Sequence, residues 1–505
     1  MTSTSENVAE SRIAVTEPPR LADPIPRRRF TPSSAGFLVM VAVCIGLTAT
    51  IVFADISRLT VGVLVVPLTI LLLICGVHVS VAMAFGGALG LWKLGGWSGL
   101  GSALSTIPYS SAASWSLTVT PMFVLMGIVL GQTGITGQLF DAARLWLGRM
   151  RGGLAVATVA SGAGLAAASG STTGISYAMG RVAIPEMLRS RYSPQLATGV
   201  VTAAGTLGQI IPPSVLLVIY AGIAQTPVGP QLLAGVVPGV LLAVLFAVMI
   251  MVRARIDPDL APATHTAAVP WGVRLRSLAS IWPLPVLILV IIGGMYSGFM
   301  TATEAGAVGA LVAILIGVWS KRRAGARAVF AVLGRSLAET ASAVAMIMFL
   351  LIGVHILSRL VALSGLAQAA SRMVTALDLT PIALLLTLVV TYLVLGMFMD
   401  TLAMLMLTIP VLLPVLEALS IDLVWFGIFA VLMAEIAMIT PPVGVVAFIV
   451  HGLAQDREVN LGTAISLATV FRGCVWFVAT ALALVVLLIL FPDLALWLPS
   501  SGSAQ

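Results

Sequence analysis

A helix that crosses a bilayer satisfies its backbone within itself, so a break inside an apolar run strands carbonyls and amides at several kcal/mol per group. This sequence carries such breaks in pairs. Between Gly152 and Gly222 the apolar helices are interrupted at Ala168-Ser169-Gly170-Ser171-Thr172-Thr173-Gly174 and again at Gly208-Gln209-Ile210-Ile211-Pro212-Pro213-Ser214. The arrangement returns at Gly396-Met397-Phe398-Met399-Asp400-Thr401 and at Met438-Ile439-Thr440-Pro441-Pro442-Val443-Gly444. Pro212 and Pro441, Pro185 and Pro414, and Thr172 and Thr401 are each 229 positions apart. The chain therefore reads as two copies of one broken-helix unit, with freed backbone groups that an ion or a polar solute can satisfy at the interface of the copies.

Composition sets the surroundings of these breaks. Of 505 residues, 59% are hydrophobic and 9% charged, with a mean hydropathy of +1.11, more apolar length than a water-soluble core can use. The fold class is an all-α polytopic membrane protein. Its formal charge of +7, from 26 Lys and Arg against 19 Asp and Glu, is spread between apolar runs, which argues for topology determinants and against a nucleic-acid partner. Cys44, Cys75 and Cys474 stand apart without metal or redox spacing.

Residues 1–34 are polar and Pro-rich and read as a disordered cytoplasmic leader. Arg27-Arg28-Arg29 is compatible with a twin-arginine signal, but the many later spans favour an uncleaved first helix. Apolar segments follow near 35–54, 60–77, 78–94, 112–132, 192–224, 230–252, 278–297, 299–319, 338–361, 423–454 and 464–491. These predict about eleven transmembrane helices, two of them broken at Pro-Pro. Segments 152–190 and 380–419 have small or polar centres, and each half is too short for a comfortable crossing, so both are expected to be re-entrant hairpins.

The expected organisation is an extra N-terminal helix at 35–59, a first repeat at 60–253, a cytoplasmic linker at 254–277, a second repeat at 278–492 and a tail at 493–505. Threaded from an inside N-terminus, Arg144, Arg149, Arg151, Arg253, Arg255, Arg274, Lys321 and Arg322 all fall in the cytoplasm, and the C-terminus falls outside. The hairpins then open to opposite sides and the repeats are inverted. Segments 136–150 and 326–337 read either as interfacial helices bracing the hairpins or as ordinary loop helices.

Hydroxyls and glycines at Ser169, Gly170, Ser171 and Thr172 offer neutral oxygen ligands suited to a hard cation such as Na⁺; a small-residue packing surface is the competing reading. Backbone carbonyls near Gln209 to Ile211 complete that first site. In the second copy Asp400 replaces Ser171, adding a carboxylate that either ligates a cation, carries a proton or pairs with an Arg. Thr440, with carbonyls near Ile439 and Pro441, completes this second site. Solute contacts are expected at Thr173, Arg181, Ser214, Thr401 and Pro442, with Arg181 either meeting a substrate carboxylate or snorkelling to the cytoplasm. Glu304 is expected to begin a helix capped by Thr301 or Thr303, and Glu435 is either a buried helix contact or part of an ion path. His78, His355 and His451 read as hydrogen-bonded core residues. No Walker loop, His-Glu metal motif or Ser-His-Asp pattern occurs, so no enzyme and no organic cofactor is expected.

Taken together, Ala168 to Thr172, Ile184-Pro185-Glu186-Met187, Ala203 to Gly208 through Ile211-Pro212-Pro213-Ser214, Thr303-Glu304-Ala305, Pro410 to Pro414, Phe426-Gly427 and Ile439 to Gly444 resemble the large membrane subunit of tripartite ATP-independent periplasmic (TRAP) transporters. The resemblance spans about residues 60–492. It implies an elevator-type importer of the bacterial inner membrane, driven by Na⁺, with a small four-helix membrane (Q) subunit and a periplasmic solute-binding (P) protein as partners. The implied solutes are organic-acid anions: dicarboxylates, 2-oxo acids and sugar acids. It also implies Na⁺ sites at Ser169 to Thr172 with Gly205 to Pro212, and at Gly396 to Thr401 with Thr440 to Gly444. Arg181 departs from the pattern, since a small or apolar residue is usual there. A stand-alone ion-coupled carboxylate carrier and a passive channel are the alternatives to be distinguished.

Overall fold

The computed structural model describes residues 35–114, 117–262, 270–442 and 444–502. The leader at 1–34, the middle of the expected linker and the last three residues lie outside this set. Every regular element in it is helical. The first half runs through α1 (Ala35–Phe53), α2 (Arg58–Ile74), α3 (Val79–Ala112), α4 (Val119–Gln132), α5 (Ile135–Leu147), α6 (Gly153–Ser169), α7 (Thr172–Arg189), α8 (Pro194–Thr206), α9 (Val215–Ala224) and α10 (Val228–Ile256). Next come α11 (Trp271–Ser280), α12 (Pro283–Ile288), α13 (Gly294–Tyr296), α14 (Ala302–Lys321), α15 (Ala326–Ser364), α16 (Leu366–Ala376) and α17 (Pro381–Leu395). The chain ends with α18 (Thr401–Ala418), α19 (Leu423–Ala437), α20 (Val445–Leu453), α21 (Arg457–Asn460), α22 (Leu467–Leu490) and α23 (Asp493–Gly502).

Length and apolarity qualify seven of the described helices to cross a membrane, or nine when the bent pairs α4 with α5 and α11 with α12–α13 each count as one. The chain is thus a multi-pass membrane protein. The bend of 70° after α4 falls at Gly134, whose φ of 82° closes one helix before the next begins. Beyond it α5 matches the segment expected at 136–150.

One expectation is corrected. Segment 326–337 is not separate from the span after it: α15 is one helix of 39 residues. It contains no proline, and Arg335 and Glu339 are good helix formers, so nothing stops it. Residues 95–111, between the spans expected at 78–94 and 112–132, are helical, because α3 resumes after a single non-helical residue, Gly96 with φ 61°. The tail at 493–505 begins with α23, which packs on α10 and α22.

Helix starts reveal the repeat at the level of caps. Ser193 begins α8 by accepting from the Leu196 amide at 3.2 Å, and Asp422 begins α19 by accepting from Trp425 at 2.8 Å. Both cap and amide are 229 positions apart in the two copies. Thr301 and Glu304 form a reciprocal capping box on α14, which settles the choice between Thr301 and Thr303.

Packing divides the helices into two groups. α3 lies along α15 and α4 along α14, each pair joining the first half of the chain to the second. The hairpin α6–α7, with α8, α20 and α22, forms the other group, and α19 within it is buried from Trp425 to Ala437. His78, His355 and His451 are hydrogen-bonded to Ser80, Ser111 and Gln455 respectively.

Candidate ion and solute site

Each hairpin reverses over a few residues that cannot extend a helix. In the first, α6 ends at Ser169, Gly170 adopts the left-handed conformation with φ 55°, and Ser171 is extended. Ser171 Oγ then caps α7 by accepting from the Gly174 amide at 3.2 Å. In the second, α17 ends before Gly396 and Asp400 Oδ1 caps α18, accepting from the Ala403 amide at 2.7 Å. Asp400 Oδ2 has no protein partner among the described residues.

The broken helices receive these tips. α8 passes into a short turn at Leu207–Gln209 and resumes as α9 after Pro212-Pro213, while α19 resumes as α20 after Pro441-Pro442. Both Pro-Pro bonds are cis. Ser214 caps α9 through the Leu217 amide at 3.2 Å, and Gln209 Oε1 accepts from Leu216 at 3.4 Å. Side-chain and turn bonds thus replace part of the ladder that each break removes.

Missing side chains let the first tip seat in its break. A Cβ on Gly170 would stand 3.0 Å from the Pro213 carbonyl, and one on Gly205 would collide with Ser176 Oγ and lie 2.9 Å from the Thr172 carbonyl. Gly170 and Thr172 of the tip therefore lie against Pro213 and Gly205 of the broken helix. Ser169 Oγ and Ser176 Oγ are buried there without a hydrogen-bond partner among the described residues. Buried hydroxyls are rarely left so, and a hard cation is a fitting partner for their oxygens.

At the second tip, Gly396 abuts Ala437, one residue before the break, and Thr401 Oγ1 contacts Met438 Sδ. Thr440 Oγ1 donates to the Ile436 carbonyl at 2.7 Å, and Gly444, with φ 41°, opens α20. The two halves differ in exposure: Ile210, Pro212 and Ser214 are buried, whereas Asp400, Pro441 and Pro442 are open. Of the expected solute contacts Thr173 and Pro442 are exposed, Thr401 is 5% exposed, and Ser214 is fully buried.

Arg181 is not gathered with the tips. Nine residues into α7, it sits about 13 Å along the helix from Thr172. It pairs with Asp456 at 3.8 Å, lies over the Tyr177 ring at 5.3 Å, and lines a cavity of about 580 Å³ with Arg144, Glu186 and Glu458. Arg144 forms an ion pair with Glu186 at the same place.

The residue left open by sequence is the one that joins the tips. Glu435 Oε2 accepts from Thr172 Oγ1 at 2.7 Å, and its Oε1 accepts from Thr401 Oγ1 at 3.4 Å. Its signal was a lone carboxylate between Met433-Ala434 and Ile436-Ala437, in the middle of an apolar span. Its partners lie 263 and 34 residues away.

Comparison with known proteins adds to this geometry. Residues 31–494, a stretch that includes α1, match the family described as tripartite ATP-independent periplasmic transporter, DctM component. The chain is 31% identical over 392 residues to the C4-dicarboxylate TRAP transporter large permease protein DctM of Pseudomonas aeruginosa, covering 78% of this chain and 88% of that one. It is 28% identical over 431 residues to the ectoine TRAP transporter large permease protein TeaC of Halomonas elongata, covering 85% and 96%. Among solved structures, the Alcanivorax borkumensis YdaH transporter superposes with a TM-score of 0.57 at 17% identity, covering 79% of this chain and 90% of that one.

Proposed function

Because this chain belongs to the DctM component family of tripartite ATP-independent periplasmic transporters, we propose that it is the large permease of a Na⁺-coupled, binding-protein-dependent importer of an organic-acid anion. The observation that carries the reading is the seating of the first hairpin tip in its broken helix, with the buried hydroxyls of Ser169 and Ser176 left for an ion. Na⁺ here is cargo: it enters with the solute and its gradient drives uptake. Its ligands are Ser169, Gly170, Ser171 and Thr172 with carbonyls of Gly205, Ile210 and Pro212 at one tip. At the other they are Gly396, Asp400 and Thr401 with Thr440, Pro441 and Gly444. The solute lies between, against Thr173, Thr401 and Pro442.

The hairpins and broken helices form a transport domain that slides as an elevator against the scaffold of α3, α4, α14 and α15. Adding α2 and the two broken helices to the apolar spans, and taking α18 as a hairpin arm, gives about eleven crossings. An odd count puts the termini on opposite sides, and the Arg- and Lys-rich connections favour a cytoplasmic N-terminus and a periplasmic C-terminus in a bacterial inner membrane. Arg274 lying over the rings of Trp146 and Trp271, which meet edge to face, is the basic and aromatic pairing usual at a cytoplasmic membrane interface and supports this orientation. A small Q subunit flanks the scaffold, and a periplasmic binding protein delivers the solute.

The test is uptake of radiolabelled dicarboxylates, 2-oxo acids, sugar acids and ectoine into proteoliposomes holding this chain and its small partner. Uptake that needs both a Na⁺ gradient and the binding protein is expected. Uptake indifferent to the binding protein would make the chain a stand-alone carrier.

A further inference from the structure

One carboxylate serves both hairpins. Glu435 is 1% exposed, and Thr172 and Thr401, which bond its two oxygens, are the first residues of α7 and α18. The two threonines hold the same place in the two copies, 229 positions apart. Glu435 has no such twin. Its counterpart in the first repeat is Thr206, whose hydroxyl turns back to the Ala203 carbonyl of its own helix at 2.7 Å. Among the described residues no Lys, Arg or His pairs with Glu435.

A hydroxyl that donates its proton to a carboxylate presents its lone pairs elsewhere, and so is poised to ligate a cation. Glu435 imposes that polarity on Thr172, and on Thr401 whenever its single hydroxyl proton turns from Met438 Sδ, the nearer acceptor, to Oε1. Because a carboxylate is planar and rigid, turning one oxygen toward its threonine also turns the other. Burial strengthens both bonds and any attraction between the carboxylate and a cation at either tip.

We infer that Glu435 is a positioning residue that links the two hairpin tips, so that an ion at one tip raises the affinity of the other. The inference rests on the reading that Na⁺ binds at both. Linkage of this kind is reciprocal, and for two sites it yields a Hill coefficient between 1 and about 2.

The experiment is equilibrium binding of ²²Na⁺ to the full chain with its small partner in lipid nanodiscs, with K⁺ as the balancing ion. The wild type is expected to bind with a Hill coefficient above 1. Glu435→Ala should lower it to about 1 and raise half-saturation severalfold. Glu435→Gln, which keeps the shape and one acceptor oxygen, guards against a folding defect and should also bind without cooperativity. Cooperative binding that survives in both variants, or its absence from the wild type, overturns the link alone. A wild type that binds no Na⁺ overturns the coupling-ion reading beneath it.

Discussion

Ser171 and Asp400, 229 positions apart, play the same structural part, since each caps the second arm of a hairpin by accepting the amide of the residue three positions on. One does so with a hydroxyl, the other with a carboxylate. Capping and ion binding can therefore be separated at this pair by chemistry. Asp400→Asn keeps a cap of equal quality, whereas Asp400→Ala and Ser171→Ala each lose about 1 kcal/mol of stability. Thermal unfolding should place Asn with the wild type and both Ala variants below it. If Asp400 also ligates Na⁺, Asp400→Asn weakens the Na⁺ dependence of uptake despite its normal stability. An unchanged dependence would limit Asp400 to the cap.

Gly205 tests the seating of the first tip. Ala at this position puts a methyl group into Ser176 Oγ and the Thr172 carbonyl, both on the hairpin. Overpacking of this kind costs about 1–3 kcal/mol, and here the strain is relieved by lifting the tip from the break. Gly205→Ala should abolish Na⁺-dependent uptake while the protein still reaches the membrane. Gly137→Ala, in α5 with nothing within 4 Å of the new methyl, should retain uptake and gain about 0.5–1 kcal/mol from helix entropy.

Much of this site was legible before any coordinates, because breaks in a membrane helix are local events. Gly170, the Pro-Pro pairs and the 229-residue offset mark both tips and both breaks from residue types alone. Glu435 was visible as a mid-span carboxylate, yet its role depends on two threonines brought to it by the fold, which no local pattern records. The fate of Arg181 was hidden for the same reason, since Asp456 approaches from the loop after α20. The continuity of α15 was missed because charge at Arg327 and Arg335 suggested a boundary where helix propensity provides none.

Arg181 and Asp456 make the next prediction. Their side chains are 40% and 39% exposed and stand 3.8 Å apart, so the pair is worth less than about 1 kcal/mol. With Arg181 some 13 Å along α7 from the tip, Arg181→Ala should leave solute affinity within about twofold. Asp456→Ala should behave alike, since each substitution removes the same strut. A large rise in KM for Arg181→Ala alone would restore the anion-contact role that its departure from the family pattern suggests.

The contact between α8 and α22 separates stability from coupling. A Cβ on Gly199 would stand 2.5 Å from the Gly473 carbonyl, and one on Gly473 would press on the Gln195 carbonyl, so each glycine lets the two backbones touch. Gly199→Ala and Gly473→Ala should each cost about 1–3 kcal/mol, and because both push apart one helix pair, the double variant should cost less than the sum. Gly199 lies about 9 Å along α8 from Gly205, beyond direct reach of the tip. Any protein that survives these substitutions should therefore keep its half-saturating Na⁺ concentration, measured by uptake beside thermal unfolding. A shift in that concentration equal to that of Gly205→Ala would mean that α22 sets the geometry of the break itself, and that the last span of the second repeat shapes the ion site of the first.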